Sequence, residues 1–335
     1  MIDRLLEEAL ADEINEGIAL RILEKSRNPK NALRLFQAAS MLRDDFVGEE
    51  IRWSAVIPAV LPCRVEPRCA YCTSFTSEVL PLEHLITAVK IIESLGIKHL
   101  YLSGGTNFNG YNREIIEIVR AIRTFSDIDI GVNLGPSFSV KTIKILKEMG
   151  VRSITCSLET VSDELFRLAK PGDSIKKRRN FLEICECEDM PIRSMIIIGL
   201  GESYEDRIRH LFYLKGFSRL HQVCFSRFYP YLNTAFSDRP RCSPWELART
   251  VAVARLIMPN IDLGLITGNT HDDLPLWYLA GGGGQLQGAV VSNPRRHSKS
   301  EPGQQVIPAA EGVFVVNSMP VMRQYMESMG CHRFS

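Results

Sequence analysis

The chain has 335 residues, 45% of them hydrophobic and 24% charged, so it has ordinary globular composition and enough length for a large core. Its 40 Lys and Arg residues balance its 39 Asp and Glu residues, which argues against nucleic acid as a partner. The first residues lack a signal-peptide pattern, and no stretch reaches about 18 uninterrupted apolar residues. We therefore expect a cytoplasmic protein with no membrane partner, whose nine cysteines stay reduced and serve metal binding rather than disulfides.

Two patterns of apolar residues follow each other along the chain. Residues 1–50 have helical spacing and predict an N-terminal helical extension. Short apolar runs then alternate with longer helical segments. The predicted strands are Trp53–Val60, Lys98–Leu102, Ile128–Leu134, Ser153–Leu158, Ile192–Ile198, Val223–Phe228, Ile261–Ile266 and Leu286–Val291. The predicted helices lie near 82–95, 111–125, 139–149, 174–188, 203–217, 244–257 and 272–280.

Eight strands separated by helices predict an α/β fold with a parallel sheet. Eight is the number that closes a barrel, so we predict a (βα)8 TIM-type barrel over residues 51–292. The alternative is a doubly wound open sheet, which would need a phosphate-binding fingerprint where a cysteine cluster stands. The polar segment Asn293–Gln305 predicts a flexible loop, and residues 293–335 as a whole a C-terminal loop and helix that close the barrel.

The cysteine cluster directly follows the first predicted strand. Cys63, Cys69 and Cys72 are separated by five and two residues, and soft thiolates of this kind select iron–sulfur clusters, zinc or Cu(I). A structural zinc site needs four ligands, and no fourth Cys or His lies nearby in the sequence. Three ligands suit a [4Fe–4S] cluster with one open iron. A zinc site completed from a distant residue and three buried structural cysteines are the alternatives.

This loop resembles that of radical S-adenosylmethionine (SAM) enzymes, which usually carry C-x3-C-x2-C with an aromatic residue before the last Cys. Tyr71 stands at the aromatic position. The longer first gap resembles the proteins for biosynthesis of the iron-guanylylpyridinol cofactor of [Fe]-hydrogenase. The resemblance implies a [4Fe–4S] cluster held by Cys63, Cys69 and Cys72, with SAM as the second cofactor.

Motifs in later loops extend the resemblance to biotin synthase and the [FeFe]-hydrogenase maturase. Ser103-Gly-Gly-Thr106 is similar to a GGE motif that meets the SAM amino group, with Thr in place of Glu. Glu159 resembles a maturase carboxylate that contacts SAM, and Arg178 an arginine that meets the SAM carboxylate. The segment from Ile197 to Glu202 resembles a family motif that packs on adenine. The implied SAM contacts are Tyr71, Ser103, Gly104, Gly105, Thr106, Asn133, Glu159, Arg178, Ile197 and Gly199. A solvated carboxylate at Glu159 and a solvated helix face at Arg178 are the alternatives.

The reaction that the resemblance implies is reductive cleavage of SAM to a 5′-deoxyadenosyl radical, which takes hydrogen from a small organic substrate. The electron donor would be a protein such as ferredoxin or flavodoxin. A precursor of the pyridinol ring is the expected substrate. A maturase-like or methylornithine synthase-like enzyme is the alternative, and an iron–sulfur carrier that never cleaves SAM is the alternative of another class.

Polar residues at the predicted barrel mouth are candidates for contact with this substrate. They are Asn107, Asn133, Arg227, Tyr229, Tyr231, Asn269 and His271, of which His271, Tyr229 and Arg227 are the catalytic candidates. His271 also suits the start of a helix. The positions matching the second cluster of biotin synthase fall near Leu102, Gly131, Arg193 and Asn269. None of these is a cysteine, so we expect one cluster and an open cavity.

Overall fold

The computed structural model describes residues 2–11, 14–73, 79–266, 268–292 and 302–335. Its strands are β1 (Ile51–Ile57), β2 (His99–Ser103), β3 (Asp129–Asn133), β4 (Val151–Thr155), β5 (Ile192–Ile198), β6 (Leu220–Arg227), β7 (Asp262–Leu265), β8 (Gly284–Ser292), β9 (Gln305–Ala310) and β10 (Val313–Asn317). Its helices are α1 (Ile2–Ala11), α2 (Glu16–Lys25), α3 (Pro29–Phe46), α4 (Leu82–Ser94), α5 (Asn112–Arg123), α6 (Val140–Glu148), α7 (Asp163–Ala169), α8 (Ile175–Cys187), α9 (Tyr204–Lys215), α10 (Pro244–Ile257), α11 (Leu274–Leu279) and α12 (Met319–Glu327), with a short 3-10 helix at His271–Asp273.

Strands β1 to β8 form a parallel barrel. β1 to β7 pair in chain order, and β8 pairs with β1. Between β7 and the start of β8, Leu263 and Gly283 exchange two backbone hydrogen bonds of 3.1 and 3.3 Å. The (βα)8 TIM-type fold with an N-terminal helical extension is thus confirmed, and the doubly wound alternative is excluded.

The surrounding helices bury one apolar stripe against the strands. On α5 the stripe consists of Ile115, Val119 and Ile122, which lie on one side because they are spaced by three or four residues. Polar caps start such helices, as at α9, where Ser203 and Asp206 form a capping box that satisfies backbone N–H groups without an intrahelical partner. Within the described ranges, no helix combines the length and the apolar character that a membrane span needs.

Helix α10 is buried on all sides because the N-terminal helices cover it. Residues 247–257 of α10 are all buried, and both α2 and α3 pack against this helix. Arg249 links the two layers, since its Nε donates to Ser26 Oγ at 3.0 Å and its Nη2 to the carbonyl oxygen of Leu23. The predicted extension therefore packs directly on the barrel.

The C-terminal part contains strands that the sequence analysis did not predict. β9 and β10 form an antiparallel hairpin, and β10 pairs with β8 at Val315 and Val291. α7 was also not predicted. The predicted loop Asn293–Gln305 lies mostly outside the described residues. The division into 1–50, 51–292 and 293–335 stays a prediction.

Candidate active site

The cysteine loop follows β1 and is held by two neighbouring loops. Arg64 N–H donates to the carbonyl oxygen of Thr106 at 2.9 Å, in the loop after β2. Ala70 N–H donates to the carbonyl oxygen of Ala169 at 2.8 Å, at the end of α7. These bonds fix the loop at the carboxyl end of the barrel, where TIM barrels place their chemistry.

Glycines let these neighbours approach the cysteine loop. A Cβ on Gly105 would lie 2.0 Å from the Cα of Cys63, and one on Gly172 would lie 2.3 Å from the carbonyl oxygen of Pro67. Both distances are far below van der Waals contact, so only a residue without a side chain fits there. Gly105 therefore supports the loop that carries the first cysteine.

The three cysteines differ in burial. Cys63 is exposed, while Cys69 and Cys72 are partly buried. Burial raises the pKa of the Cys69 thiol to about 12, an effect that the positive charge of Lys170 opposes. The exposure of Cys63 does not fit three buried structural cysteines.

No three His, Cys, Asp or Glu side chains in the described ranges are arranged to hold a metal ion. In a [4Fe–4S] cluster each thiolate binds a different iron, so its ligands need not converge on one point. Three thiols on one anchored loop therefore fit a cluster better than a single ion.

A cavity of about 210 Å³ opens beside this loop inside the barrel. It is lined by Val56, Tyr71, Cys72, Thr73, Tyr101, Ser103, Asn133, Glu159, Arg193, Met195, Ile197, Ser226, Arg227, Phe228, Tyr229, Tyr231, Ile266, Gly268 and Gln287. It brings together five of the predicted SAM contacts, namely Tyr71, Ser103, Asn133, Glu159 and Ile197, with one cluster cysteine. A concave site with apolar walls and a few converging polar groups is typical of small-molecule binding.

Glu159 is held in the cavity by an uncommon backbone conformation. Its φ is 68°, a left-handed value that costs a residue other than glycine about 1–3 kcal/mol. Two bonds to β5 stabilise it: Glu159 N–H donates to Met195 O at 3.3 Å, and Ile197 N–H donates to Glu159 O at 3.2 Å. Burial, followed by the charge of Glu159, raises the pKa of Tyr71 well above its usual range. The carboxylate thus lines the cavity beside a neutral tyrosine.

The end of β2 contributes one cavity residue, Ser103, and the loop after β2 contributes three supporting ones. Asn133 Nδ2 donates to Ser103 Oγ at 3.1 Å, and both side chains line the cavity. Gly104 N–H donates to Asn133 O at 3.0 Å. Gly104, Gly105 and Thr106 are not among the described residues that line the cavity.

Arg178 lies behind the cavity wall as a buried cross-link, not on a solvated face. Its Nε and Nη2 bind Asp173 at 2.6–2.9 Å, Nη2 also donates to Thr106 Oγ1 at 3.1 Å, and Nη1 donates to Ser157 O at 2.8 Å. Burial opposes its charge, but Asp173 outweighs burial and raises the pKa of Arg178. These bonds use four of its five N–H donors. Its contact with SAM stays a prediction.

Lys170 and Asp173 complete a charged cluster that the sequence analysis missed. Lys170 Nζ lies 3.4 Å from Asp173 Oδ2, with both side chains nearly fully buried. Burial opposes ionisation of Asp173, but Lys170 and Arg178 lower its pKa to about 2. The cluster carries one net positive charge near Cys69. Its sequence signal is the opposite charges around Pro171-Gly172 in the loop that leads to Arg178.

The segment after β5 divides into one cavity residue and a structural turn. Ile197 lines the cavity. Gly199 has φ +88°, and a Cβ there would lie 2.5 Å from Cys242 Cβ. Its N–H donates to Glu202 Oε1 at 2.8 Å, and Arg207 pairs with the same carboxylate at 2.7 Å. Gly199 therefore shapes the turn and is not among the described residues that line the cavity.

The catalytic candidates occupy different places. Arg227 and Tyr229 line the cavity, and Arg227 Nη2 is paired with Asp273 Oδ2 at 2.7 Å. Asp273 also accepts a 2.7 Å bond from Thr270 N–H in a capping box. His271 starts the 3-10 helix next to this cap and is not among the described cavity residues. The geometry of His271 is that of a helix start.

Of the other substrate candidates, one lines the cavity and two bond to backbone atoms outside it. Tyr231 lines the cavity, with its ring centroid 4.6 Å from that of Tyr229. Asn107 Nδ2 donates to the carbonyl oxygen of Gly110 in the same loop at 2.9 Å. Asn269 bonds to backbone atoms, among them Arg227 N–H at 3.2 Å. Neither asparagine is among the described residues that line the cavity.

Comparison with known proteins adds sequence relatives to this geometry. Residues 66–214 match the radical SAM superfamily. The chain is 32% identical over 289 residues to the Methanocaldococcus jannaschii protein named "Uncharacterized protein MJ0785", covering 84% of this chain and 76% of that one. It is 25% identical over 304 residues to biotin synthase of Carboxydothermus hydrogenoformans, covering 86% and 92%.

Solved structures share the fold. Methylornithine synthase (PylB) superposes with a TM-score of 0.78 at 18% identity, covering 99% of this chain and 96% of that one. The FeFe-hydrogenase maturase HydG from C. hydrogenoformans superposes with a TM-score of 0.79 at 21% identity, covering 98% and 78%. At this identity the likeness concerns the fold alone.

The chain belongs to the radical SAM superfamily. It is accordingly an enzyme, which uses a [4Fe–4S] cluster and SAM, and enzymes of this class act on a small molecule with the help of a reductant.

Proposed function

We propose that Cys63, Cys69 and Cys72 hold the cluster and that the enzyme takes hydrogen from an organic precursor of the pyridinol part of the [Fe]-hydrogenase cofactor. The observation that carries the proposal is the C-x5-C-x2-C loop at the edge of a cavity lined by Tyr71 and Glu159. When bound, the cluster supplies the electron that cleaves SAM to methionine and the radical that takes the hydrogen. The pathway assignment is supported by the five-residue gap. Ferredoxin or flavodoxin would reduce the enzyme, in the cytoplasm.

The residues of the chain position the two reactants. Tyr71, Ser103, Asn133, Glu159 and Ile197 surround SAM in this proposal, with the carboxylate of Glu159 accepting hydrogen bonds from it. The buried charges of Lys170, Asp173 and Arg178 hold the loops after β2 and α7 in place from behind the cavity wall. Arg227, Tyr229 and Tyr231 face the substrate, and the aromatic rings exclude water from the reacting atoms.

SAM cleavage tests the enzymatic step. Anaerobically reconstituted and reduced protein should release 5′-deoxyadenosine from SAM, and Cys72→Ser should abolish this. The exposed cysteine Cys187 lies on α8, outside the loop, so Cys187→Ser is the matched control and should retain activity. A Cys72→Ser protein that cleaves SAM normally would contradict the ligand assignment.

Glu159→Gln tests the SAM site separately. Loss of a hydrogen bond to a charged group costs about 1.5–3 kcal/mol, or roughly ten- to a hundred-fold in affinity. SAM affinity should fall by that factor with iron content intact, while Glu164→Gln on the exposed side of α7 should leave affinity unchanged. If wild type and Glu159→Gln bound SAM with equal affinity, Glu159 would be a solvated carboxylate without a contact to SAM.

Turnover of candidate precursors tests the pathway. The reduced enzyme is incubated with SAM and each pyridinol precursor, and products are identified by mass spectrometry. Conversion of one precursor with stoichiometric 5′-deoxyadenosine supports the assignment. Release of 5′-deoxyadenosine with no precursor converted would contradict the pathway but not the radical chemistry.

A further inference from the structure

The floor of the cavity carries a buried arginine. Arg193 on β5 is only 5% exposed and lines the cavity. Its guanidinium lies 4.0 Å from the centroid of the Tyr101 ring, and its Nε donates to Gln222 Oε1 at 2.6 Å. Tyr101 is itself bonded to Gln285 through its hydroxyl. Uncharged neighbours thus fix the plane of the guanidinium.

The positive charge of Arg193 is not balanced by a nearby acid. Within the described ranges, no carboxylate oxygen lies within 4.0 Å of its nitrogens. The other buried arginines of these ranges reach a carboxylate or several carbonyl oxygens: Arg227 pairs with Asp273 at 2.7 Å, and Arg255 donates to three main-chain carbonyls at 2.8 Å. Because an unpaired buried charge is costly, Arg193 has the environment of a group that binds an anion.

The guanidinium retains donors for such an anion. Of its five N–H groups, Nε is used by Gln222. The remaining Nη donors belong to a planar fork that matches a carboxylate with two parallel hydrogen bonds. Arg227, the other arginine among the described lining residues, lies near the mouth and is neutralised by Asp273, so at the floor the charge of Arg193 is left uncompensated. A singly charged carboxylate balances it, whereas a doubly charged phosphate would not be balanced.

Arg193 lies deep below the proposed SAM contacts. Strands advance by about 3.3 Å per residue and tilt by about 36° in such a barrel. Arg193, four residues before Ile197 on β5, therefore stands roughly 11 Å deeper. Tyr101 lies against the guanidinium itself, and Phe228 and Tyr229 line the cavity nearer the mouth, since they follow Arg227, which pairs with Ile198. Aromatic walls above a cationic floor suit a flat organic body with one anionic end.

We propose that Arg193 anchors a carboxylate group of the substrate, which is therefore a small, planar carboxylic acid bound with its carboxylate at the barrel floor. The proposal rests on the proposed function, in that this acid is the hydrogen donor. Its carboxylate end is held at the floor, and its other end faces the mouth, where Cys72 and Glu159 line the cavity.

Three probes and three variants test the anchor. Benzoate carries the carboxylate, benzamide is its neutral counterpart and phenylphosphonate a doubly charged one, and their binding to anaerobically reconstituted protein is measured by calorimetry. Arg193→Gln removes the charge, Arg193→Lys keeps the charge without the fork, and Arg152→Gln is a control on β4, where the arginine is exposed. Iron content per chain monitors the integrity of each variant.

We expect benzoate to bind wild type more tightly than benzamide or phenylphosphonate does. Arg193→Gln should weaken the affinity for benzoate roughly ten- to a hundred-fold. Arg193→Lys should weaken it less, and Arg152→Gln should not change it. The affinity for benzamide should be the same in all three variants. The anchor is refuted if benzoate binds no better than benzamide, if Arg193→Gln weakens both equally, or if phenylphosphonate binds most tightly.

Release of 5′-deoxyadenosine by wild type is measured in parallel and decides a different question. If wild type cleaves SAM but benzoate binding does not depend on Arg193, the anchor is refuted and the proposed function stands. If benzoate binding depends on Arg193 but wild type never cleaves SAM, the anion site stands and the proposed function fails.

Discussion

Replacing Gly105 by alanine should detach the cluster without unfolding the barrel. The new Cβ would lie 2.0, 2.2 and 2.3 Å from Cα, N and Cβ of Cys63, whereas ordinary contact begins at 3.4 Å. The cysteine loop must therefore move by more than about 1 Å. Overpacking of this kind costs typically about 1–3 kcal/mol, which a barrel of this size tolerates. A ligand loop displaced that far no longer presents Cys63 to the cluster.

The assay is iron and sulfide per chain after anaerobic reconstitution, with circular dichroism to monitor the fold. Gly105→Ala should lose most of its iron and release little 5′-deoxyadenosine. Gly17→Ala on α2 is the matched control, because its nearest neighbour would be Asn15 Oδ1 at 3.4 Å, and it should keep a full cluster. A Gly105→Ala protein with wild-type iron content would refute the role assigned to this contact.

Three further predictions concern stability and oxygen. Asp173→Asn leaves Lys170 and Arg178 buried without a counter-charge, so the free energy of unfolding measured in urea should fall by about 3–5 kcal/mol. Asp163→Asn on the surface should change it little, and equal effects of the two variants would contradict the buried ion pairs. Burial lowers the pKa of His210 to about 3, below its unfolded value of 6.5, so the unfolded chain binds the proton first as the pH falls. The free energy of unfolding should therefore decrease by about 2 kcal/mol between pH 7 and pH 5. His210→Phe should flatten this pH dependence, and an unchanged slope in the variant would refute the assignment. Air should abolish colour and SAM cleavage together, because one iron is open, and activity that survives bleaching would argue against the cluster.

Most of the barrel could be predicted because its signals are local. The alternation of apolar runs and amphipathic stretches located all eight barrel strands, and three cysteines within ten residues predicted a ligand loop, which lies at the carboxyl end of the barrel. The hairpin β9–β10 was missed because β9 has no fully buried residue and contains Pro308, which argues against a strand. α7 has only seven residues, too few for a clear helical period.

The interior of the barrel was harder to predict. Strands buried on both faces carry no alternation that tells inside from outside, so Leu102 was assigned to the interior where Tyr101 lines the cavity instead. The same ambiguity covered Cys156 and Cys224. Cys156 Sγ lies 3.7 Å from Arg178 O, behind the wall, whereas Cys224 stands two residues before the cavity residue Ser226 on β6 and so faces the barrel interior. Long-range partners such as Gln222 for Arg193 leave no pattern in the sequence.

The position of Cys224 makes the number of irons the most direct test of a single cluster held by Cys63, Cys69 and Cys72. Iron per chain and Mössbauer spectra are measured on anaerobically reconstituted wild type, on each of the three Cys→Ala variants and on Cys224→Ala. We expect close to four irons in one cubane, lost in each ligand variant and unchanged in Cys224→Ala. A colourless protein with one zinc, or about six to eight irons reduced by Cys224→Ala, would contradict this account.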